Sequence, residues 1–380
     1  MIYLDYAATT PMLDKALQIY NEVAKNYFGN SSSLHDIGST ANAILEQSRK
    51  TIAQYMNGDP CGVYFTSGGS ESNYLAIHSL LKGNLEKGRH ILTTDLEHSS
   101  IRNTLLDLNA EGYEVTSIPV DHFGRVDLDA LEAAIRPDTV LATIHHGNSE
   151  IGTVQDLITI GEILNNHDIL FHSDCVQTFG KIEIDVQQAK LDSISISSHK
   201  IYGPKGVGAC YINPKRSWKS VISNTTHERG FRPGTVNVPG IAAFITAAEE
   251  IFPIMKDEQI RFSKLRKKLI AGIQGEEWTI TEVEPSNPIR LENIIGICVA
   301  GVEGQYMMLE CNRHGIAIST GSACSVGLQK PAKTLLSIGK SKEEAKQYIR
   351  LSVGKFTTDD EIDETIDVFQ KILTNHFHKK

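Results

Sequence analysis

Lys200 stands in the segment Ser195-Ile-Ser-Ser-His-Lys-Ile-Tyr-Gly-Pro-Lys-Gly-Val-Gly208, a hydroxyl-rich strand end followed by a Gly/Pro turn that forces an irregular backbone. A lysine held in a protein interior loses its charge readily, and its amine condenses with an aldehyde as a Schiff base. Upstream, Phe171-His-Ser-Asp174 places a carboxylate at the end of an apolar strand. A pyridoxal-phosphate site needs both groups, a lysine for the aldehyde and a carboxylate to keep the ring nitrogen protonated. Taken singly, such a lysine turn can equally be surface and such an aspartate can equally cap a helix. Their order on successive strands is what makes the pair informative. Phe65-Thr-Ser-Gly-Gly-Ser-Glu-Ser-Asn73 reads as strand, glycine-rich turn and helix start. The backbone N–H groups of Gly69 and Ser70, the Ser70 hydroxyl and the helix dipole suit a dianionic phosphate. The G-x-x-x-x-G-K spacing of nucleotide-binding loops is missing, and many Gly-Ser turns simply start helices.

The six cysteines (Cys61, Cys175, Cys210, Cys298, Cys311 and Cys324) show no C-x-x-C pair and no zinc-ligand spacing, so no metal site is expected. Free thiols of this kind suit a reducing compartment. Cys324 stands apart, in Gly321-Ser-Ala-Cys-Ser-Val-Gly327. Small residues with almost no apolar anchor are expected to form a mobile loop, centred on residues 319–330. A nucleophilic thiol there is the alternative to a buried structural one. Cys210 and Cys298 lie in apolar strands and read as core, Cys175 reads as packing, and Cys61 and Cys311 have no identifiable role.

These residues need elements to position them. Short apolar, β-branched strands are expected at Val63–Thr66, His90–Thr94, Glu114–Ile118, residues 139–145, residues 169–173, Ser193–Ser197 and Gly208–Ile212. Helical patterns at residues 71–81, 100–110, 128–134 and 157–165 alternate with them. The alternation predicts an α/β fold with a large, mainly parallel sheet covered by helices. One long helical stretch at 238–274 follows. The pattern then changes, with strands at Ile294–Val299, 316–319 and Tyr348–Ser352 and helices at 305–314, 331–336, 342–347 and 361–373, as in a smaller α+β domain. The expected division is a large domain at 15–257 and a small one made of 1–14 and 258–380.

At 380 residues the chain is too long for one compact core, and its 41% hydrophobic and 22% charged content is ordinary for a globular enzyme. A net charge of −9 argues against a general nucleic-acid or membrane-surface partner. The basic cluster at 264–268 reads as a solvated helix face. The opening MIYLDYAATTP has no basic stretch followed by an apolar run, and no apolar run near the ~18 residues of a membrane helix is apparent. A cytoplasmic enzyme is expected.

Together these stretches resemble the fold-type I, aminotransferase-like pyridoxal-phosphate enzymes, and within them the NifS/IscS-type (class I) cysteine desulfurases. The resemblance runs almost end to end. Tyr3-Leu-Asp-Tyr-Ala-Ala-Thr-Thr-Pro11, TSGGSESN, Glu97-His98, Asp174-Cys-Val-Gln177, SSHKIYGPKGVG, Arg232-Pro-Gly-Thr235, Ser319-Thr-Gly-Ser-Ala-Cys324 and Arg350 follow in family order. It implies that Lys200 carries pyridoxal 5'-phosphate covalently and moves protons at the substrate Cα. Asp174 would pair with the ring nitrogen and Gln177 would donate to the phenolic oxygen. His98 would stack on the ring and could serve in acid–base steps, although a strand-end histidine can equally be ordinary. Gly69, Ser70, Ser197 and His199 would hold the phosphate, joined by Thr235 from the other subunit of a homodimer. Arg350 would bind the substrate carboxylate, and Cys324 would take the sulfur of L-cysteine as a persulfide.

Two departures from the family pattern stand out. Gly147-Asn-Ser149-Glu150 replaces Asn-Asn-Glu, so either Ser149 or Asn148 would approach the phenolic oxygen. Residues 29–35 lack the usual proline, with little effect expected. The resemblance further implies a sulfur-acceptor protein, such as an iron–sulfur scaffold or a tRNA-thiolation enzyme. A selenocysteine lyase or aminotransferase would use the same fold, but an aminotransferase needs no thiol at Cys324. A non-catalytic sulfur-transfer scaffold would need neither Lys200 nor Asp174.

Overall fold

The computed structural model describes residues 1–283, 290–321 and 333–378. A short strand, β1 (Ile2–Tyr3), and two helices, α1 (Asp14–Asn26) and α2 (Asp36–Gln54), precede the alternating part of the chain. That part runs β2 (Val63–Thr66), α3 (Gly69–Gly83), β3 (His90–Thr94), α4 (Ser99–Ala110), β4 (Glu114–Ile118) and α5 (Leu128–Ala133). It continues with β5 (Thr139–Thr143), α6 (Leu157–Asn166), β6 (Leu170–Asp174), β7 (Ser193–Ser197) and β8 (Gly208–Ile212). Strands β2 to β8 form one sheet in the order β2-β8-β7-β6-β5-β3-β4. Its pairs are parallel except those of β8, which is antiparallel to both β2 and β7. Two reversals leave β2 running with β7, so their carboxyl ends share one edge of the sheet. All residues of β2, β3 and β5 to β8 are buried, which is why these segments read as continuous apolar or small-residue runs rather than alternating ones.

Several boundaries differ from the sequence expectation in ways that matter for the site. Strand β5 stops at Thr143, not at residue 145, so His145 and His146 leave the sheet. Strand β6 runs one residue later than expected and ends on Asp174, paired with Ser195. Helices α1 and α2 were not anticipated. The buried stripe of α2 includes Ser48 and Arg49 beside Ala41, Leu45 and Ile52, and these polar residues mask its helical period. The expected single helix at 238–274 is two, α7 (Val238–Ile251) and α8 (Met255–Ile273), joined by a 3₁₀ turn at Phe252–Ile254. Pro253 lacks the N–H that would continue the α ladder there. Contrary to expectation, Val238–Ile273 is long and apolar enough by length and composition to cross a membrane. Ile241, Phe244, Ile245 and Ala248 of α7 are, however, buried in the core beside the large sheet.

The remaining elements are β9 (Ile280–Glu282), β10 (Ile294–Val299), α9 (Gly304–Arg313), β11 (Ile316–Ala317), α10 (Lys333–Ser337), α11 (Lys342–Lys346), β12 (Tyr348–Ser352) and α12 (Asp359–Phe377). Strands β9, β10 and β12 form an antiparallel sheet with β10 central, while β1 pairs in parallel with β11. The three-residue β9 was not anticipated, and the strand expected at 316–319 keeps only two residues before a separate bridge from Ser319 to Arg350. Helix α12 begins two residues earlier than expected because Thr358 and Glu361 form a capping box. Leu265, Leu269, Ile295, Ile297, Ile349, Leu351, Ile362 and Phe369 pack a second core between α8, α12 and this small sheet. The expected loop from 322 onward, with Cys324, lies outside the described residues.

Candidate active site

The carboxyl ends of β3, β5, β6 and β7 open onto one crevice, where ligands bind in open α/β sheets. The N-terminus of α3 enters the same crevice from β2. Gly68 precedes that helix at φ 152°, and Gly208 of β8 passes so close that a Cβ on it would sit 2.6 Å from the Gly68 Cα. Glycine at both places lets the turn expose its N–H groups. The crevice holds a cavity of ≈ 280 Å³, near the lower end of small-molecule sites, about 300 Å³ upward. Gly69, Ser70, His98, Ser149, Asp174, Gln177, Ser197, His199, Lys200 and Arg350 all line it. Thr235 does not; it is exposed and away from the cavity of its own chain.

Lys200 closes a 3₁₀ turn directly after β7. Its Nζ donates to the carbonyls of Ala7 at 2.5 Å and Ala8 at 3.0 Å. The N-terminal segment also clamps the turn itself. Thr10 N and Oγ1 both donate to the His199 carbonyl at 3.0 Å, Tyr202 N donates to Thr10 Oγ1 at 2.7 Å, and Thr9 Oγ1 meets His199 Nδ1 at 3.1 Å. Burial, then the charges of Lys200, Lys205 and Lys181, push the His199 pKa down to about 4, so the ring is neutral. Lys181, which sequence reasoning passed over, donates to the Lys200 carbonyl at 3.3 Å. Burial and the Lys200 charge bring it down to about 7.

Asp174 is buried and accepts from Val176 N at 2.9 Å and Asn73 Nδ2 at 2.8 Å. His98 is the N-cap of α4, with Nδ1 accepting from Ser100 N at 3.2 Å. Its ring opens to the cavity but is walled by protein, and that burial lowers its pKa against an opposing pull from Asp174. Gln177 donates through Nε2 to the Ala7 carbonyl at 3.0 Å, and its Oε1 is buried without a partner among the described residues. Asn148 Oδ1 accepts from Glu150 N at 2.8 Å and Ile151 N at 3.0 Å, so this side chain organises its own turn. No hydrogen bond among the described residues engages the Ser149 hydroxyl.

Arg350 sits mid-strand in β12 and is 2% exposed, not the surface residue its sequence context would suggest. Nη1 donates to the Ser149 carbonyl at 2.9 Å and Nη2 to Asp5 Oδ1 at 2.7 Å. Nε is buried without a partner among the described residues. The sequence reading also missed Glu97 and His145 as a pair. Glu97 Oε1 accepts from His145 N at 3.0 Å and lies 2.9 Å from His145 Nδ1. His145 lines the cavity, and its Nε2 is buried without a partner among the described residues. Two polar residues at the end of an apolar strand were the available signal.

A lysine amine, a buried carboxylate, a helix N-terminus with exposed N–H groups, and orphaned polar atoms on Gln177, His145 and Arg350 fit a phosphorylated pyridine aldehyde beside a carboxylate substrate. Among the cysteines, Cys175 and Cys311 are pushed up to about 12 and Cys298 to about 11 by burial, and Cys210 is raised further, so none of the four is a ready thiolate.

Comparison with known proteins agrees with this geometry. The aminotransferase class-V family matches residues 2–365. A Bacillus subtilis (strain 168) protein named "Putative cysteine desulfurase NifS" is 47% identical over 97% of this chain and 94% of its own. The "Cysteine desulfurase IscS 1" of Archaeoglobus fulgidus is 36% identical over 98% and 97%. A solved structure described as "SspA in complex with cysteine" superposes with a TM-score of 0.82 at 32% identity, covering 94% of this chain and 100% of that one.

Proposed function

The chain belongs to the aminotransferase class-V family and, within it, to the NifS/IscS-type cysteine desulfurases; from that premise we propose that Lys200, Asp174 and His98 hold pyridoxal 5'-phosphate in the cavity while Cys324 accepts the sulfur of L-cysteine. The enzyme removes sulfur from L-cysteine and leaves alanine. When bound, the cofactor supplies an electron sink for the pair released at the substrate Cα.

The chain's own residues do the rest. Lys200 Nζ would hold the cofactor through its aldehyde and would move the proton at the substrate Cα. The Asp174 carboxylate would keep the cofactor's ring nitrogen protonated. The N–H groups of Gly69 and Ser70, with the side chains of Ser70, Ser197 and neutral His199, hold the phosphate. Gln177 and the Ser149 hydroxyl would donate to the phenolic oxygen; Ser149 takes that role over Asn148, whose Nδ2 is directed at the Leu96 carbonyl, 3.4 Å away. Arg350 orients the substrate by its carboxylate, with Nε the donor in reserve. The Cys324 thiolate then attacks the substrate sulfur. The S–S bond forms as the Cβ–S bond breaks, and the carbon side leaves as alanine once protonated. The two electrons that reduce carbon come from the two sulfurs, so no external oxidant is needed.

Thr235, exposed on its own chain, serves the cavity of a second copy in a homodimer. The persulfide passes to a cytoplasmic acceptor, an iron–sulfur scaffold or a tRNA-thiolation enzyme. We also take residues 15–257 as the large domain, with 1–14 and 258–380 as the small one that carries Arg350 and Cys324 to it. The observation that carries the reading is the meeting of Lys200, Asp174 and buried Arg350 in one cavity. Its test is the addition of L-cysteine and a thiol reductant to the purified protein. Alanine and sulfide are expected in equal amounts, and neither from Lys200→Ala. A protein that shows the cofactor absorption band but yields neither product contradicts the reading.

A further inference from the structure

One side chain that this mechanism leaves unused ties together two that it needs. Asn73, in the first turns of α3, is 1% exposed and lines the cavity. Its Nδ2 lies 2.8 Å from Asp174 Oδ2 and 2.9 Å from Ser100 Oγ. Its Oδ1 lies 3.1 Å from His172 Nε2, and His172 Nδ1 lies 2.5 Å from Ser193 Oγ. Ser100 Oγ in turn lies 2.8 Å from His98 Nδ1, which also accepts the Ser100 backbone N–H at 3.2 Å.

Donor and acceptor inventories fix every direction in this chain. An ionised Asp174 only accepts, so the amide nitrogen of Asn73 faces it and the amide oxygen faces His172. His172 must therefore bear its proton on Nε2 and accept the Ser193 hydroxyl at Nδ1. Burial, which brings that ring down to about 4, keeps it neutral and compatible with this assignment. His98 Nδ1 accepts the Ser100 backbone N–H, so the Ser100 hydroxyl, which accepts from Asn73, must donate to that same atom. Two donors on Nδ1 leave the proton of His98 on Nε2. One end of the Asn73 amide thus holds the cavity carboxylate Asp174, while the other is held by His172, buried behind it.

We propose that Asn73 is a positioning residue of the desulfurase site: its amide fixes the Asp174 carboxylate and, through the Ser100 hydroxyl, braces His98 in the tautomer protonated on Nε2. The inference rests on the functional reading above, and its test separates the two. Holoenzyme labelled with ¹⁵N-histidine, with His98 assigned through His98→Gln, is expected to show an unprotonated Nδ1 and a protonated Nε2 for His98. Asn73→Leu should shift the His98 Nδ1 resonance as the Ser100 hydroxyl bond loosens, and weaken cofactor binding about tenfold, the loss of one hydrogen bond to a charged group. In that variant kcat should fall while KM for L-cysteine, which depends on Arg350, holds. Asn73→Ser, which keeps a short donor, should recover part of the cofactor affinity. If Asn73→Leu does not fold, the wild-type tautomer decides alone. A proton on His98 Nδ1 overturns the proposal, as does an Asn73→Leu enzyme with unchanged His98 Nδ1 resonance and cofactor affinity. In either case alanine production by the wild type leaves the desulfurase reading standing.

Discussion

Arg350 enters the cavity with Nη1 on the Ser149 carbonyl and Nη2 on Asp5, while its Nε has no partner among the described residues. A planar fork matches a carboxylate in a way a lysine ammonium does not. Arg350→Lys is therefore expected to lower kcat/KM for L-cysteine by about 10- to 100-fold, mostly through KM, with the cofactor absorption unchanged. Steady-state kinetics with the spectrum recorded alongside would check this, and an unaltered KM would remove Arg350 from substrate binding. Lys200 and Asp174 were legible from the hydroxyl-rich strand end and Gly/Pro turn around the one and the strand end at the other, whereas Arg350, in the apolar strand Tyr348–Ser352, was legible only through the family resemblance. Asn73, His145 and His172 were not. Their roles depend on partners 27 to 101 positions away along the chain, and spacing alone does not reveal such pairs.

At the scale of elements, the segment after β8 shows how a polar pair can anchor a loop. Glu228 and Arg229 hold left-handed backbone, φ 46° and 55°, a conformation disfavoured without glycine. Buried Glu228 accepts both guanidinium Nη groups of Arg49 at 2.7 Å and the N–H of Phe65 at 2.6 Å. This ties the Arg232–Thr235 stretch to α2 and β2 through an ion pair with both partners almost fully buried. Arg49→Met should cost about 3–5 kcal/mol in urea unfolding, because it strands a buried carboxylate. Adding Glu228→Gln should return much of that loss; no recovery would mean that Arg49 acts by packing. The strands of the large sheet could be read from sequence because burial on both faces leaves continuous apolar runs. Helix α2 could not, since the same Arg49 that anchors the loop interrupts its apolar stripe.

For the whole molecule, the catalytic arrangement is an assembly of distant pieces. Residues 5–10 thread between Arg350 of the small sheet and Lys200 of the large one, contacting both. Alternation of strands and helices foretold the large sheet, but nothing local in the sequence says that the chain's first residues hold its central lysine. Burial also gives the protein a pH dependence of stability. His146 and His172 are buried, with pKa values pushed down to about 3 and about 4, below the unfolded value near 6.5. Between those limits the unfolded chain binds protons that the native one does not, so stability falls as pH drops from about 6.5 toward 4. Each histidine contributes up to about 1.4 kcal/mol per pH unit. Urea midpoints should therefore be lower at pH 5 than at pH 7, and a flat profile would show that both rings take up protons in the fold as readily as in the unfolded chain.

The proposed mechanism passes sulfur from L-cysteine onto Cys324. A single turnover of the holoenzyme with L-cysteine, without reductant, followed by alkylation and peptide mass spectrometry, tests it directly. The peptide containing Cys324 is expected to gain one sulfur atom, with alanine formed in equal amount and Cys61 unmodified. Alanine formed with the extra sulfur on another cysteine, or on none, would contradict the account.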